Sequence, residues 1–154
     1  MDTDAKRAIA EEFVEGVARL VPRFLTDPIE ATMSGGNAAV CVIDDDGRVY
    51  GRVFGDNKGR GRVSFATASR KVAQVWVTGY ATGRFEELVF TGKIDDKQFG
   101  IIRPEFIGWQ GGVPLRFDDG SPLAAAFSGF RGEKDVEIIE QAASTVAGLG
   151  VVDR

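Results

Sequence analysis

A chain of 154 residues with a net charge of −4 and an ordinary hydrophobic share of 44% suits one domain with its own core. Its charge repels phosphate backbones and anionic lipid surfaces, which argues against nucleic-acid and membrane partners. Histidine is absent and cysteine occurs once; this excludes Ser-His-Asp and Cys-His catalysis, histidine-ligated haem or zinc, CxxC sites and any intrachain disulfide.

In chain order, Ile9, Phe13, Val17, Leu20 and Phe24 recur at helical spacing, and residues 4–25 read as an amphipathic helix kinked or ended by Pro22 and broken at Asp27-Pro28. The acidic polar start (Met1, Asp2, Thr3, Asp4) is unlike a secretory leader, no apolar run reaches membrane length, and a lone cysteine suits a reducing compartment. Together these predict a cytoplasmic protein. Residues 38–43 form a continuous apolar run. With 48–54 they flank Asp44-Asp45-Asp46-Gly47, a hairpin signal because glycine tolerates the positive φ of the turn. Cys41 sits mid-strand and reads as a small buried hydrophobe. The stretch 55–62 (GDNKGRGR) reads as a flexible connector, since its single GxG lacks the rest of a phosphate-binding loop.

Phe65, Ala68, Val72, Val75 and Trp76 mark a second long helix with Ser64 as N-cap. Thr82 is expected to cap a shorter helix over 83–91, ended by Gly92. Residues 93–112 read as a loop with at most a short strand. Residues 113–117 and 121–130 flank Asp118-Asp119-Gly120, a second hairpin. After Gly132 a last helix carries Val136, Ile139, Ala143 and Val146 on one face, with Glu133 and Asp135 at its positive end. The order α-β-β-α-α-β-β-α predicts an α+β fold: an antiparallel sheet with helices packed on it, in one domain over 1–154.

Three stretches together resemble the GlcG/HbpS family (DUF336, the haem-degrading or haem-binding group). They are residues 38–47, the helix containing Ala68-Ser69-Arg70-Lys71-Val72-Ala73, and the series Gly111-Gly112-Val113-Pro114-Leu115, Asp119-Gly120, Phe127-Ser128-Gly129, Lys134-Asp135. The match runs over roughly residues 5 to 147. The resemblance implies a profilin-like or PAS-like (GlcG-like) two-layer domain, a small homo-oligomer, and a small-molecule ligand, haem or another tetrapyrrole. It departs from the family at two points. No histidine is available for haem, and Phe130 stands where the family has a third glycine after Ser128-Gly129, crowding any pocket there.

The residues themselves offer a candidate ligand site. Paired glycines at Gly111 and Gly112, followed by Val113 and Pro114, allow close backbone approach or a small anion nest, and equally a tight turn entering a strand. Arg70, Lys71 and Arg103 are cations suited to a carboxylate, propionate or phosphate. On this reading the ligand lies between the Lys71 helix and the 111–114 loop. Ser128 is a candidate donor to it; Asp135 is a candidate contact and, structurally, a helix N-terminal carboxylate. Lys71 and Tyr80 are the candidate acid–base groups if the protein is instead a cofactor-independent enzyme acting on a small organic acid. Tyr50 and Tyr80 are phenols that can ligate ferric haem, Met33 is a soft donor, and no metal site is predicted, the acidic turn at 44–46 reading as solvated. A third reading is a structural, partner-binding oligomeric module.

Overall fold

The structure, a computed structural model, describes residues 1–101 and 105–154. Helix α1 (Thr3–Phe24) is capped by Asp2, whose carboxylate accepts from the Ala5 amide at 2.8 Å, and holds Pro22 in its last turn. The break at Asp27-Pro28 is also a start. Asp27 accepts from the Ile29 amide, Pro28 takes the first helical position, and α2 (Pro28–Ser34) follows. Strands β1 (Ala38–Asp44) and β2 (Val49–Phe54) pair as the first hairpin. In its turn the buried Asp44 carboxylate accepts from the amides of Asp46 and Arg48, and Gly47 has φ 83°.

Helix α3 (Lys58–Thr78) begins six residues before the expected Ser64. Asn57 caps it by accepting from the Arg60 amide. The glycines that read as a connector are its first turns, and Gly61 lies so close to β2 that an added Cβ would sit 2.9 Å from Val53. Helix α4 (Thr82–Phe90) starts at Thr82 rather than being capped by it, because the Thr82 hydroxyl is committed to the 105–112 segment. A 3₁₀ turn (Asp96–Phe99) interrupts the expected loop. Strands β3 (Gly112–Phe117) and β4 (Pro122–Ser128) form the second hairpin, α5 (Gly132–Ser144) follows, and an unexpected short strand β5 (Leu149–Val151) closes the chain.

The five strands form one antiparallel sheet in the order β2-β1-β4-β3-β5. The predicted antiparallel sheet with packed helices is therefore present, but helices cover both faces, so three layers stand where two were expected. Helices α1 and α5 pack on one face around Phe13, Val17, Val40, Leu115, Phe127, Ile138 and Ile139, all essentially fully buried. Each contributes roughly 1.5–3 kcal/mol of burial. The other face is lined by the small residues Ala39, Cys41, Ala124 and Ala126, against which α3 sets Ala68, Val72 and Val75. Small side chains let a helix sit close, which is why central strands apolar on both faces occur here. Burial pushes the Cys41 thiol above its ordinary range, keeping it protonated.

Candidate functional site

Lys71 is buried. Its Nζ donates to the Phe127 carbonyl at 3.0 Å and to Asp135 Oδ2 at 3.2 Å, and both side chains of the ion pair are only 3% exposed. The other carboxylate oxygen of Asp135 accepts from the Phe130 amide at 2.9 Å. The pair thus ties α3 to the end of β4 and the start of α5. Burial lowers the Lys71 pKa, partly opposed by Asp135, and burial raises Asp135 to about 7 despite the lysine.

Gly111 is packed directly on this pair, and Gly112 on Thr82 and Val75 beside it. Gly111 has φ +125°, and a Cβ there would lie 2.5 Å from the Phe127 carbonyl oxygen and 2.6 Å from Lys71 Nζ. A Cβ on Gly112 would lie 2.6 Å from Thr82 Cγ2. No ligand-sized space separates the Lys71 helix from this loop. The segment before the glycines is docked on α3 and α4 by side chains that periodicity did not single out. The Gln74 amide group donates to the Ile107 carbonyl at 2.7 Å and accepts from its N–H at 2.9 Å. Thr82 donates to the Trp109 carbonyl and accepts from the Gly112 amide.

Open volume lies on the outer side of the glycine loop. A cleft of about 830 Å³ is bounded by Tyr80, Ala81, Arg84 and Leu88, by Val113 and Pro114, by Val136 and Glu140, and by the final residues from Val151 to Arg154. A hollow of about 430 Å³ adjoins it through Ala81, Arg84 and Val136 and reaches Gly111, Gly112 and Glu133. The lining of the cleft is about half polar, with charges of both signs, and half apolar. The Arg154 guanidinium lies over the Tyr80 ring at 4.4 Å and donates to its hydroxyl at 3.2 Å. Arg84 pairs with Glu87 at 3.0 Å on the surface. The volume is that of a small-molecule site.

Of the residues singled out from the sequence, Gly111, Gly112, Val113, Pro114 and Tyr80 border this groove. Lys71 and Asp135 lie behind it. Arg70 is exposed and donates to the Glu105 carbonyl at 3.3 Å, and Arg103 lies outside the described residues. Ser128 ends β4 in register with Ala39 and is buried. Phe130 stacks on Phe24 at 5.8 Å and contacts Phe127 at 4.9 Å; its ring fills the core under α1 and does not border the groove. Tyr50 donates to Asp44 at 3.2 Å on the first hairpin, and Met33 is exposed on α2. In the acidic turn, Asp45 pairs with Lys6 and Asp46 with Arg48. Arg84, Val136 and the C-terminal strand were not foreseen as groove residues, because only β5 pairing beside β3 brings the chain end to Tyr80.

No protein-family model and no curated protein matches the sequence. Solved structures do. The chain superposes on a PduOC:haem complex with a TM-score of 0.63 at 17% identity, covering 99% of this chain and 96% of that one. It matches the Klebsiella pneumoniae protein ORFY, assigned to DUF336, with a TM-score of 0.63 at 18% identity, covering 88% and 85%. It matches HbpS with a TM-score of 0.59 at 18% identity, covering 86% of each chain. The chain shares their fold, and the class is the one the motif resemblance implied: α+β, with helices packed on an antiparallel sheet.

Proposed function

We propose that this chain binds a small, largely apolar ligand with an anionic edge in the Tyr80–Pro114 groove, and that haem or another tetrapyrrole is that ligand. The observation that carries the reading is the groove itself: an apolar floor from Leu88, Val113, Pro114, Val136 and Val152, with Arg84, Arg154 and Tyr80 at its rim. A tetrapyrrole needs a flat apolar bed, cations for its propionates and, for iron, an axial donor. The donor set fits without histidine. Tyr80 is the one phenol among the described residues lining the groove, tyrosine is a known ligand of ferric haem, and the Arg154 guanidinium donates to its oxygen. Arg84 and Arg154 are placed to hold carboxylates. Glu140 and Asp153 on the same rim accept from donor groups and disfavour purely anionic ligands. When bound, haem supplies redox and gas- or peroxide-binding chemistry at iron; the residues of this chain bind it, orient it and shield one face from water.

That a structural neighbour is a haem complex supports the choice of probe. The cofactor-independent enzyme reading has less support, since the Lys71 amine is held by Phe127 and Asp135 and faces no open volume.

Titration with hemin tests the proposal. The expected result is a saturable Soret change at one equivalent per chain, and a displaced band with weaker binding in Tyr80→Phe. A featureless titration sinks the haem assignment. A normal Soret change that Tyr80→Phe leaves untouched removes Tyr80 as the ligand.

A further inference from the structure

We propose that the hollow at the C-terminal end of α3 binds a primary organic ammonium, an –NH₃⁺ group on a small apolar body. Helix α3 stops at Gly79, which has φ 73°. Between that end and strands β3 and β4 lies a hollow of about 430 Å³. Its floor is apolar. Ala124 packs toward α3, Pro114 pairs with it across the two strands, and Pro122 lies two residues along on the same face. Trp76, 48% exposed, forms one wall. Its indole N–H donates to the Asp44 carbonyl at 2.9 Å, which anchors the ring.

The hollow is short of donors and rich in acceptors. Its prolines bring no N–H. The Gly79 amide is spent on the Val75 carbonyl and the indole on Asp44. The Thr78 hydroxyl, which accepts from the Tyr80 amide at 3.2 Å, is the one side-chain donor left among the described residues that line it. On the acceptor side, the carbonyls of Trp76, Val77 and Thr78 accept no hydrogen bond among the described residues. No basic residue stands in the last turn, so the negative end of the helix dipole is uncompensated there. Asp45 is the one charged lining residue, and no lysine or arginine borders the hollow. Arg116, in register with Pro122, is exposed and lies outside the lining. Lys6 holds both oxygens of Asp45, at 2.9 and 3.1 Å, and offsets its charge. The carboxylate remains 30% exposed, with acceptor sites to spare. Selection therefore rests on unpaired acceptors and the helix end, not on a net field.

A primary ammonium answers this inventory, since it carries donors and a positive charge and no acceptor. Beside an indole a cation gains further attraction from the ring. A carboxylate on the same body would set its lone pairs against carbonyls and Asp45. A neutral alcohol would fill the floor and leave most of the acceptors unpaired. The hollow and the Tyr80 groove share only Pro114 among their lining residues, so ammonium binding and hemin binding succeed or fail separately.

Titration of the full chain with phenethylammonium, phenethyl alcohol and phenylpropionate, followed through amide and indole proton shifts, tests this without any variant. The ammonium is expected to saturate, moving Trp76, Thr78, Gly79 and Ala124 and leaving the Trp109 indole in place. The alcohol should bind about tenfold more weakly or worse, and the carboxylate should leave these residues unmoved. Val77→Lys, at a position 47% exposed that borders the hollow, places a resident ammonium where a cation also suits the helix end. It should cut phenethylammonium affinity about tenfold or more with unchanged far-UV circular dichroism. Equal binding of the three probes, shifts outside the hollow, no saturation, or a Val77→Lys protein that binds as the wild type does overturns the proposal.

Discussion

Replacing Lys71 with Met is expected to lower the unfolding free energy by about 3–5 kcal/mol, the range for removing one partner of a buried ion pair. The amine is the hub between α3, the Phe127 carbonyl and Asp135. Without it a buried carboxyl loses its cation and a buried carbonyl loses a donor. The double variant Lys71→Met, Asp135→Asn should recover part of the loss, because no lone charge then remains inside. The pair also sets a pH dependence. Burial raises Asp135 from its ordinary 3.8 to about 7, so between these values the folded chain holds a proton that the unfolded chain has released. Stability from this group is fully present below pH 4 and declines as pH rises to 7, by at most about 1.4 kcal/mol per pH unit. Urea titrations at pH 5 and pH 7 should show this decline in the wild type and a flatter profile in Asp135→Asn. A Lys71→Met protein within 1 kcal/mol of the wild type would show that the pair is not the clamp described.

Gly111→Ala should cost about 3 kcal/mol or more, and Gly120→Ala only about 1–2 kcal/mol. Both glycines have positive φ, but the turn at Gly120 has no atom within 4 Å of an added Cβ. Alanine there meets only the backbone preference. At Gly111 the methyl would be driven into the Phe127 carbonyl oxygen and Lys71 Nζ, so strain and displacement of the clamp add. Equal losses at the two positions would mean that the close packing of the glycine loop on Lys71 is not what requires glycine.

Much of this architecture was legible in the sequence. The Asp-Gly turns mark both hairpins because they require positive φ, and the unbroken apolar run at 38–43 marks a strand buried on both faces. That run is also the trace of the third layer, which the two-layer expectation left out: alternation would have left one face wet. The first turns of α3 were illegible because the two glycines and three cations within 58–62 look like a loop; Asn57 capping and the need to pass close to Val53 override propensity. The site was partly legible. Gly111 to Pro114 and Tyr80 were singled out and do border the groove. Lys71 and Asp135 were singled out as separate residues; their pairing across 64 positions depends on α5 packing beside β4, which no local pattern encodes. The cations that face the groove, Arg84 and Arg154, are ordinary surface arginines in sequence. They become neighbours of Tyr80 only through the β5 pairing and the Ala81 amide bound to the Arg154 carbonyl at 2.8 Å.

The groove assignment is tested most directly by amide chemical-shift mapping with metal-free protoporphyrin, which probes the bed without an iron ligand. Shifts are expected at Tyr80, Ala81, Arg84, Gly112, Val113, Val136 and Val152. Shifts confined to the hollow around Trp76, Thr78 and Leu123, or none at saturating ligand, would contradict it.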